Sequence, residues 1–306
     1  MVSSMETAVV AAVQAAPVFF DRDATIEKVG ELTKEAAGHD ARLVAFSEGF
    51  VPTYPDWVWR TEPWGDLDRA WYARWYDQAV DMPGPACDAL GAIAREHGVY
   101  LAIPVNERDG GTVYNTLCYF GPGGDLLAKH RKLVATGAER IVWGSGDGST
   151  LAVIDTPFGR VGGLICWENY MPLARAAMYE QGIDVLLAPT WDNSHLWPLS
   201  MQHIAKEGRC YVLGITSCQH GSDVPADLPG RDVMYSDHPD DWMSRGNTII
   251  VDPSGHVLAG PLTGESGILY AEIDAARGRL SRREFDVVGH YARPDVFRLS
   301  VNRGND

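Results

Sequence analysis

Four residues of types that perform nucleophilic and acid–base chemistry stand beside strand-like runs of the chain. Cys166 and Glu48 each follow an apolar run, and Lys132 closes a strand-like run at 126–129 that His130 and Arg131 extend. Glu139 lies seven residues after Lys132. Hydrolysis of a nitrile or an amide needs a nucleophile, a proton carrier and a cation, which cysteine, glutamate and lysine supply. A second glutamate beside the lysine holds it protonated and oriented. Together the four residues predict hydrolysis of a carbon–nitrogen bond.

The position of these residues matters because open α/β sheets bind ligands in the crevice beyond the carboxyl ends of their strands. Cys166 also stands directly before a predicted helix, whose free backbone N–H groups can stabilise a thiolate. Taken one at a time, a cysteine at such a place more often packs than reacts, and a charged residue more often faces solvent. The prediction therefore requires all four residues to meet in one cleft.

Motifs for several other chemistries are missing from the sequence. It has no G-x-S-x-G, H-E-x-x-H, P-loop or EF-hand pattern. The glycine-rich stretch 144–148 is interpreted as a turn, and the acidic stretch 237–241 as a solvated loop rather than a metal site. The five cysteines include no C-x-x-C pair. We therefore expect neither a disulfide framework nor a structural zinc site.

The composition favours a soluble cytoplasmic enzyme. Apolar residues make up 45% and charged residues 22% of the 306 residues, which is ordinary for a globular protein. The net charge of −15 disfavours nucleic acid and anionic membranes as partners. The N-terminal region has no basic residue before Arg22, so it lacks the charged start of a secretory signal.

The elements that must position the four residues alternate between strands and helices, with hairpins in between. Periodic apolar residues predict helices near 26–36, 67–75, 85–98, 172–181 and 201–207. Apolar runs bounded by turn residues predict strands at 9–15, 43–46, 100–105, 113–120, 125–129, 150–155, 161–165, 184–188, 210–216 and 247–251. This pattern favours a layered α/β fold with a mixed sheet. The chain is expected to form a single domain over 1–306, with a polar surface insertion at about 220–245.

Three stretches of the sequence resemble the nitrilase superfamily of carbon–nitrogen hydrolases, and within it the true nitrilases. They are SEGFVPTYP at 47–55, HRKLVATGAER at 130–140 and GLICWENYMP at 163–172. Further likeness at 203–210, 257–261 and 288–297 extends the resemblance from about Val9 to Phe297. Trp167 stands directly after the cysteine, and in this the sequence resembles nitrilases. Amidases of the superfamily more often carry a tyrosine and an aspartate after the cysteine.

The resemblance implies an αββα sandwich that pairs with a second subunit into a homodimer or a higher oligomer. It casts Cys166 as nucleophile, Glu48 as general base and acid, Lys132 as stabiliser of the tetrahedral intermediate and Glu139 as its structural partner. A nitrile would pass through a thioimidate and an acyl-enzyme to a carboxylic acid and ammonia. The family needs no metal and no organic cofactor.

Aromatic residues are dense after Glu48, which favours an apolar pocket for aryl or arylalkyl nitriles. The residues expected to bind the substrate are Tyr54, Trp57, Thr136, Trp167, Asn169 and Trp191. The alternatives to a nitrilase are an amidase or N-carbamoyl hydrolase of the same superfamily, a cyanide-hydrolysing enzyme, and a catalytically inactive binding or assembly subunit.

Overall fold

Two mixed β-sheets lie face to face at the centre of the chain, in a computed structural model that describes residues 6–304. The strands are β1 (Ala8–Gln14), β2 (Ala41–Ala45), β3 (Val80–Asp81), β4 (Tyr100–Asp109), β5 (Thr112–Phe120), β6 (Leu126–Arg131), β7 (Val153–Thr156), β8 (Gly159–Gly163), β9 (Val185–Thr190), β10 (Tyr211–Thr216), β11 (Cys218–His220), β12 (Trp242–Val251), β13 (Val257–Thr263) and β14 (Gly267–Ile273). The helices are α1 (Arg22–Gly38), α2 (Asp66–Asp77), α3 (Pro85–His97), α4 (Pro172–Glu180), α5 (Leu196–Gly208), α6 (Arg231–Met234) and α7 (Ala275–Ser281).

The first sheet has the order β14-β1-β2-β4-β5-β6, with β3 paired to β4, and its central strands β1, β2 and β4 are parallel. The second sheet has the order β11-β12-β10-β9-β8-β7, with β13 paired to β12, and its strands β8, β9 and β10 are parallel. Antiparallel pairs flank each parallel centre. Each sheet therefore brings the carboxyl ends of several parallel strands to one edge.

Three apolar layers hold the sheets and helices together. Residues such as Leu43 and Val161 fill the space between the two sheets. Val29 and Leu90, from α1 and α3, cover the outer face of the first sheet, and Met178, from α4, covers the second together with α5. Strands covered on both faces consist of nearly continuous apolar residues, as in the fully buried β9. The arrangement is an αββα sandwich, and the predicted fold class is confirmed.

Local signals in the sequence fix several of these elements. The side chain of Asp21 caps α1 by accepting a hydrogen bond from the backbone N–H of Ala24 at 2.9 Å. Helix α3 starts with Pro85, and its chain turns at Gly98, which has a φ of 64°. A proline at the first helical position and a glycine in the left-handed region after the last are typical of helix ends.

The polar segment 220–245 lies against α2 rather than standing free. Trp71 of α2 donates its indole N–H to the carbonyl of Pro229 at 2.8 Å and stacks on Tyr235 with ring centroids 5.6 Å apart. Val224 and Leu228 of the segment are buried in the same aromatic cluster. The segment thus buries several apolar side chains against α2, although Val233 is 91% exposed. Within residues 6–304, no helix is both long and apolar enough to cross a bilayer.

Candidate active site

Cys166 stands on a sharp turn just beyond the end of β8. Its φ of 53° lies in the left-handed region, which is uncommon for a residue with a side chain and is often found at functional sites. The residue starts a 3-10 turn over Cys166–Tyr170. Asn169 holds this turn by donating its amide to the carbonyls of Leu164 at 2.7 Å and Cys166 at 2.9 Å. The sequence therefore places a strained, buried thiol at a strand end.

Lys132 joins two buried carboxylates at the end of β6. Its Nζ donates to Glu48 Oε1 at 2.7 Å and to Glu139 Oε2 at 2.7 Å. All three side chains are almost completely buried. Asn115 of β5 also donates its amide to Glu48 Oε1, at 2.8 Å. A buried charge needs partners of opposite charge and hydrogen bonds, and this network supplies both.

Glu139 is fixed from three sides. It lies on the 3-10 turn Gly137–Ile141, where its Oε2 also accepts the backbone N–H of Thr136 at 2.7 Å. The hydroxyl of Tyr54 donates to its Oε1 at 2.6 Å. Since its two oxygens accept these bonds and the one from Lys132, Glu139 holds the ammonium in place.

The end of β9 connects the thiol to Glu48. The hydroxyl of Thr190 donates to Cys166 Sγ at 3.1 Å, and the backbone N–H of Trp191 donates to Glu48 Oε2 at 2.8 Å. Adjacent residues of one strand end therefore contact the sulfur and the carboxylate. The structure brings Cys166, Glu48, Lys132 and Glu139 into one cluster.

The charges in this cluster act on one another. Burial raises the pKa of Glu48, although the charge of Lys132 and hydrogen bonds from Lys132 and Cys166 oppose the change. Burial and the charge of Glu48 raise the pKa of the Cys166 thiol well above its ordinary value. Burial lowers the pKa of Lys132, but the charges of Glu48, Cys166 and Glu139 outweigh it and raise that pKa overall. Lys132 therefore stays an ammonium, and the thiol keeps its proton until an acceptor takes it.

A cavity of about 440 Å³ opens onto the sulfur. Four of the residues expected to bind substrate line it, namely Tyr54, Thr136, Trp167 and Trp191. Tyr54 and Trp191 form a parallel stack with centroids 4.4 Å apart. Trp59, Asp192, Asn193 and Ser194 complete the wall, with Cys166 and Glu139. Four of the ten lining residues are therefore aromatic, and Cys166 is among the others.

Two residues expected to bind substrate lie elsewhere. Trp57 is completely buried, packs edge-on against Trp75 and donates its indole N–H to Asp68 at 3.2 Å. Trp57 and Trp59 share one 3-10 turn, on which side chains two residues apart point in different directions, so only Trp59 reaches the cavity. Asn169 is buried and serves the cysteine turn with its amide.

A buried His130–Glu168 pair stands behind the cluster, and sequence reasoning did not identify it. His130 Nε2 lies 3.0 Å from Glu168 Oε2, and both side chains are completely buried. The carboxylate also accepts the backbone N–H of Leu133 at 2.6 Å through Oε1 and that of Ile165 at 2.6 Å through Oε2. Leu133 follows Lys132 and Ile165 precedes Cys166, so the Glu168 carboxylate links the two chain segments that carry Lys132 and Cys166. The one signal in the sequence is a histidine and a glutamate each two positions from a predicted catalytic residue.

Asn115 and Thr190 were also missed, although both contact the predicted residues directly. Asn115 gives no signal, because it lies in the middle of a strand. Thr190 lies two residues after the predicted strand 184–188, as Cys166 directly follows the predicted strand 161–165, and that position is its signal. No group of three or more His, Cys, Asp or Glu side chains between residues 6 and 304 could hold a metal ion.

Comparisons with known proteins give a consistent result. The family model for carbon-nitrogen hydrolase matches residues 9–283. The chain is 47% identical over 300 residues to a protein of Sinorhizobium fredii (strain HH103) named aliphatic nitrilase, covering 95% of this chain and 94% of that protein. It is 42% identical over 310 residues to the bifunctional nitrilase/nitrile hydratase NIT4B of Nicotiana tabacum, covering 98% of this chain and 87% of that protein.

Solved structures share the fold at low sequence identity. A carbon-nitrogen hydrolase from Helicobacter pylori G27 superposes with a TM-score of 0.73 at 21% identity, covering 95% of this chain and 97% of that chain. Nit3 of Saccharomyces cerevisiae gives a TM-score of 0.71 at 20% identity, covering 96% and 99% of the two chains. The resemblance inferred from the three sequence motifs is confirmed. The chain belongs to the carbon–nitrogen hydrolase family, within the nitrilase superfamily.

Proposed function

We propose that this protein is a nitrilase, which hydrolyses an organic nitrile to a carboxylic acid and ammonia. The observation that carries the proposal is the buried thiol of Cys166 beside the Glu48–Lys132–Glu139 network, at the wall of an aromatic cavity. Relatives at 41–47% identity are named nitrilases. The aromatic side chains of Tyr54, Trp59, Trp167 and Trp191 in the cavity wall suit an apolar group on the nitrile.

In the first half of the reaction Cys166 attacks the nitrile carbon. Glu48 takes the thiol proton as the sulfur–carbon bond forms, and the proton passes to the nitrile nitrogen to give a thioimidate. Lys132 stabilises the charge that develops on the substrate. Within the described residues, two of its three N–H donors go to Glu48 and Glu139, so the third can face the substrate.

In the second half water replaces nitrogen and then sulfur. Glu48 activates a water molecule that adds to the thioimidate carbon and gives a tetrahedral intermediate. The amino group leaves as ammonia after protonation, which leaves a thioester on Cys166. A second water, activated by the same carboxylate, releases the carboxylic acid and restores the thiol. Tyr54 and Glu139 keep the ammonium of Lys132 in place throughout.

The main alternative is hydrolysis of an amide or an N-carbamoyl compound at the same site. Trp167 favours the nitrilase because it follows the cysteine, as in the nitrilase motif, and lines the cavity. Its indole N–H donates to Asp192 at 3.0 Å, which fixes the ring at the cavity wall.

The active form is proposed to be a cytoplasmic homodimer or a larger homo-oligomer. Leu173 of α4 and Leu196 and Leu199 of α5 are more than half exposed, on the outer helices of the second sheet. Exposed leucines on these outer helices fit burial against a second copy of the chain.

The proposal is tested by supplying the purified protein with aliphatic, aryl and arylalkyl nitriles, with their matching amides and with cyanide, while ammonia and acid are measured. We expect faster ammonia release from at least one organic nitrile than from its amide. Faster release from the amides would instead identify an amidase, and release from cyanide alone would identify a cyanide hydrolase. Ammonia from no substrate of the panel would contradict the proposal.

A further inference from the structure

We propose that Thr190 is a further catalytic residue, whose hydroxyl stabilises the Cys166 sulfur as a thiolate when it attacks and when it leaves. The role rests on the proposed hydrolysis at Cys166, but the contacts that support it are independent of the substrate. Thr190 is the last residue of β9 and is completely buried. Its Oγ1 lies 3.1 Å from Cys166 Sγ, which is hydrogen-bonding distance for a sulfur acceptor. Burial shields this hydroxyl from competition by bulk solvent.

The next turn of the chain favours Thr190 as the donor of this hydrogen bond. The backbone N–H of Asp192 donates to Thr190 Oγ1 at 2.9 Å. A hydroxyl has a single proton to donate, and an oxygen that already accepts an N–H is a stronger donor. Because the oxygen accepts from Asp192, its proton is free to point at the sulfur. Thr190 is therefore a donor that is oriented before the substrate arrives.

The charges in the site show why the sulfur needs a neutral donor. Lys132 is the ammonium of the cluster, and it is already hydrogen-bonded to the carboxylates of Glu48 and Glu139. When Glu48 takes the thiol proton, a negative charge moves onto the sulfur in a site with almost no solvent exposure, while Lys132 donates to Glu48 and Glu139. Burial and the charge of Glu48 raise the pKa of the Cys166 thiol, while Lys132 and the Thr190 hydrogen bond lower it. A hydroxyl stabilises the thiolate without adding another charge.

The same strand end also positions the base. Trp191, the next residue, donates its backbone N–H to Glu48 Oε2 at 2.8 Å. Thr190 and Trp191 thus hold the sulfur and the carboxylate that takes its proton at a fixed separation. Because Glu48 acts on the thiol proton, this spacing serves the first step of the reaction.

The test compares Thr190→Val with Thr190→Ser. Valine keeps the shape of the side chain and loses the hydroxyl, whereas serine keeps the hydroxyl. The rate at which iodoacetamide alkylates Cys166 is measured by peptide mass from pH 6 to pH 11.5, without any nitrile present, because burial raises the pKa of the thiol well above its ordinary value. We expect Thr190→Val to move the alkylation midpoint to higher pH and to slow alkylation at pH 7 by about tenfold or more, as the loss of a hydrogen bond to a charged group predicts. Thr190→Ser should remain close to wild type.

A matched control stands on the adjacent strand. Thr216 pairs with Thr190 in the β9–β10 register, is completely buried, and its hydroxyl has no hydrogen-bond partner among residues 6–304. Thr216→Val repeats the same chemical change and should leave the alkylation midpoint where it is. An unchanged midpoint in Thr190→Val, or an equal shift in Thr190→Ser or Thr216→Val, would overturn the proposal. If Thr190→Val does not fold, Thr190→Ala gives the same comparison.

Turnover then separates this inference from the proposed function. At pH 7 Thr190→Val should lower kcat for the best nitrile by about tenfold, with a smaller change in KM. A shifted alkylation midpoint in a protein that hydrolyses no nitrile would support the role of Thr190 on the thiol and contradict the nitrilase. Nitrile hydrolysis with an unshifted midpoint would support the nitrilase and contradict the role of Thr190.

Discussion

The substitution Glu168→Gln tests whether the buried His130–Glu168 pair stabilises the protein and positions Lys132 and Cys166. Glu168 is completely buried, is paired with His130 at 3.0 Å, and accepts the backbone N–H groups of Leu133 and Ile165. A glutamine has one acceptor oxygen in place of two and no charge. The variant therefore leaves one backbone N–H without its partner and an imidazolium without its counter-charge. We expect both stability and turnover to fall.

The loss of stability can be scaled from the burial of the pair. Removing one partner of a buried ion pair costs about 3–5 kcal/mol, whereas an exposed pair contributes about 0.2–1 kcal/mol. Asp155→Asn is the control, because Asp155 pairs with Arg160 at the surface and its side chain is 82% exposed. Urea unfolding followed by tryptophan fluorescence, at one protein concentration, measures both variants. Glu168→Gln should cost several times as much as Asp155→Asn.

A double-mutant cycle separates the pair from its surroundings. His130→Gln alone leaves the carboxylate of Glu168 without its imidazolium, so we expect it to be costly too. The double variant His130→Gln/Glu168→Gln removes both charges, and its cost should be clearly less than the sum of the two single costs. Additive costs, or a cost below about 1 kcal/mol for Glu168→Gln, would refute the reasoning.

The pH dependence of this difference has a defined sign. Burial lowers the pKa of His130, but the charge and hydrogen bond of Glu168 outweigh it and raise that pKa above 6.5. Burial raises the pKa of Glu168, but His130 and two backbone N–H groups outweigh it and lower that pKa below 4.5. The histidine contribution is complete below pH 6.5 and is lost as pH rises through the raised pKa. The glutamate contribution is complete above pH 4.5 and is lost as pH falls through the lowered pKa. The stability difference between wild type and Glu168→Gln should therefore be largest between about pH 4.5 and 6.5.

Three further changes have expected outcomes. Lys132→Met should abolish ammonia release from nitriles, because Glu48 and Glu139 lose their shared cation and the intermediate loses its proposed stabiliser. Circular dichroism should stay native-like, and turnover near wild type would contradict this role. Trp59→Ala should raise kcat/KM for bulky arylalkyl nitriles relative to short aliphatic ones, since Trp59 lines the cavity and its side chain is 49% exposed. An unchanged ratio of the two kcat/KM values would show that Trp59 does not limit the size of the substrate. Leu173→Glu should shift the protein towards monomer in size-exclusion chromatography, because the leucine is 69% exposed on α4, and an unchanged elution volume would place the subunit contact elsewhere.

The fold could be predicted well where burial leaves a continuous apolar run. The predicted strand 184–188 corresponds to the fully buried β9, and the predicted helix 85–98 ends at the glycine that terminates α3. Prediction was poorer where an element begins with polar or exposed residues. Strand β12 starts five residues before the predicted 247–251, and α5 starts five residues before the predicted 201–207. Those residues include exposed leucines and an arginine, whose exposure depends on tertiary contacts.

The site shows the same limit. Cys166, Glu48 and Lys132 could be found because each lies at a strand end and belongs to a motif with a chemical role. Trp57 could not be separated from Trp59, because only the direction of a short turn decides which ring faces the cavity. Asn115 of β5 contacts Glu48 beyond the end of β2, with β4 between the two strands, and Thr190 of β9 contacts Cys166 beyond the end of the neighbouring β8. Contacts of this kind depend on strand order, which spacing along the chain does not give.

The central claim is that Cys166 forms the covalent bond to the substrate. The most direct measurement is to quench the protein with acid during turnover of its best nitrile and to map the added mass by peptide mass spectrometry, alongside the turnover of Cys166→Ala. We expect the acyl or thioimidate mass on the peptide that contains Cys166, and no ammonia from Cys166→Ala. An adduct on a different residue, or wild-type turnover by Cys166→Ala, would contradict the account.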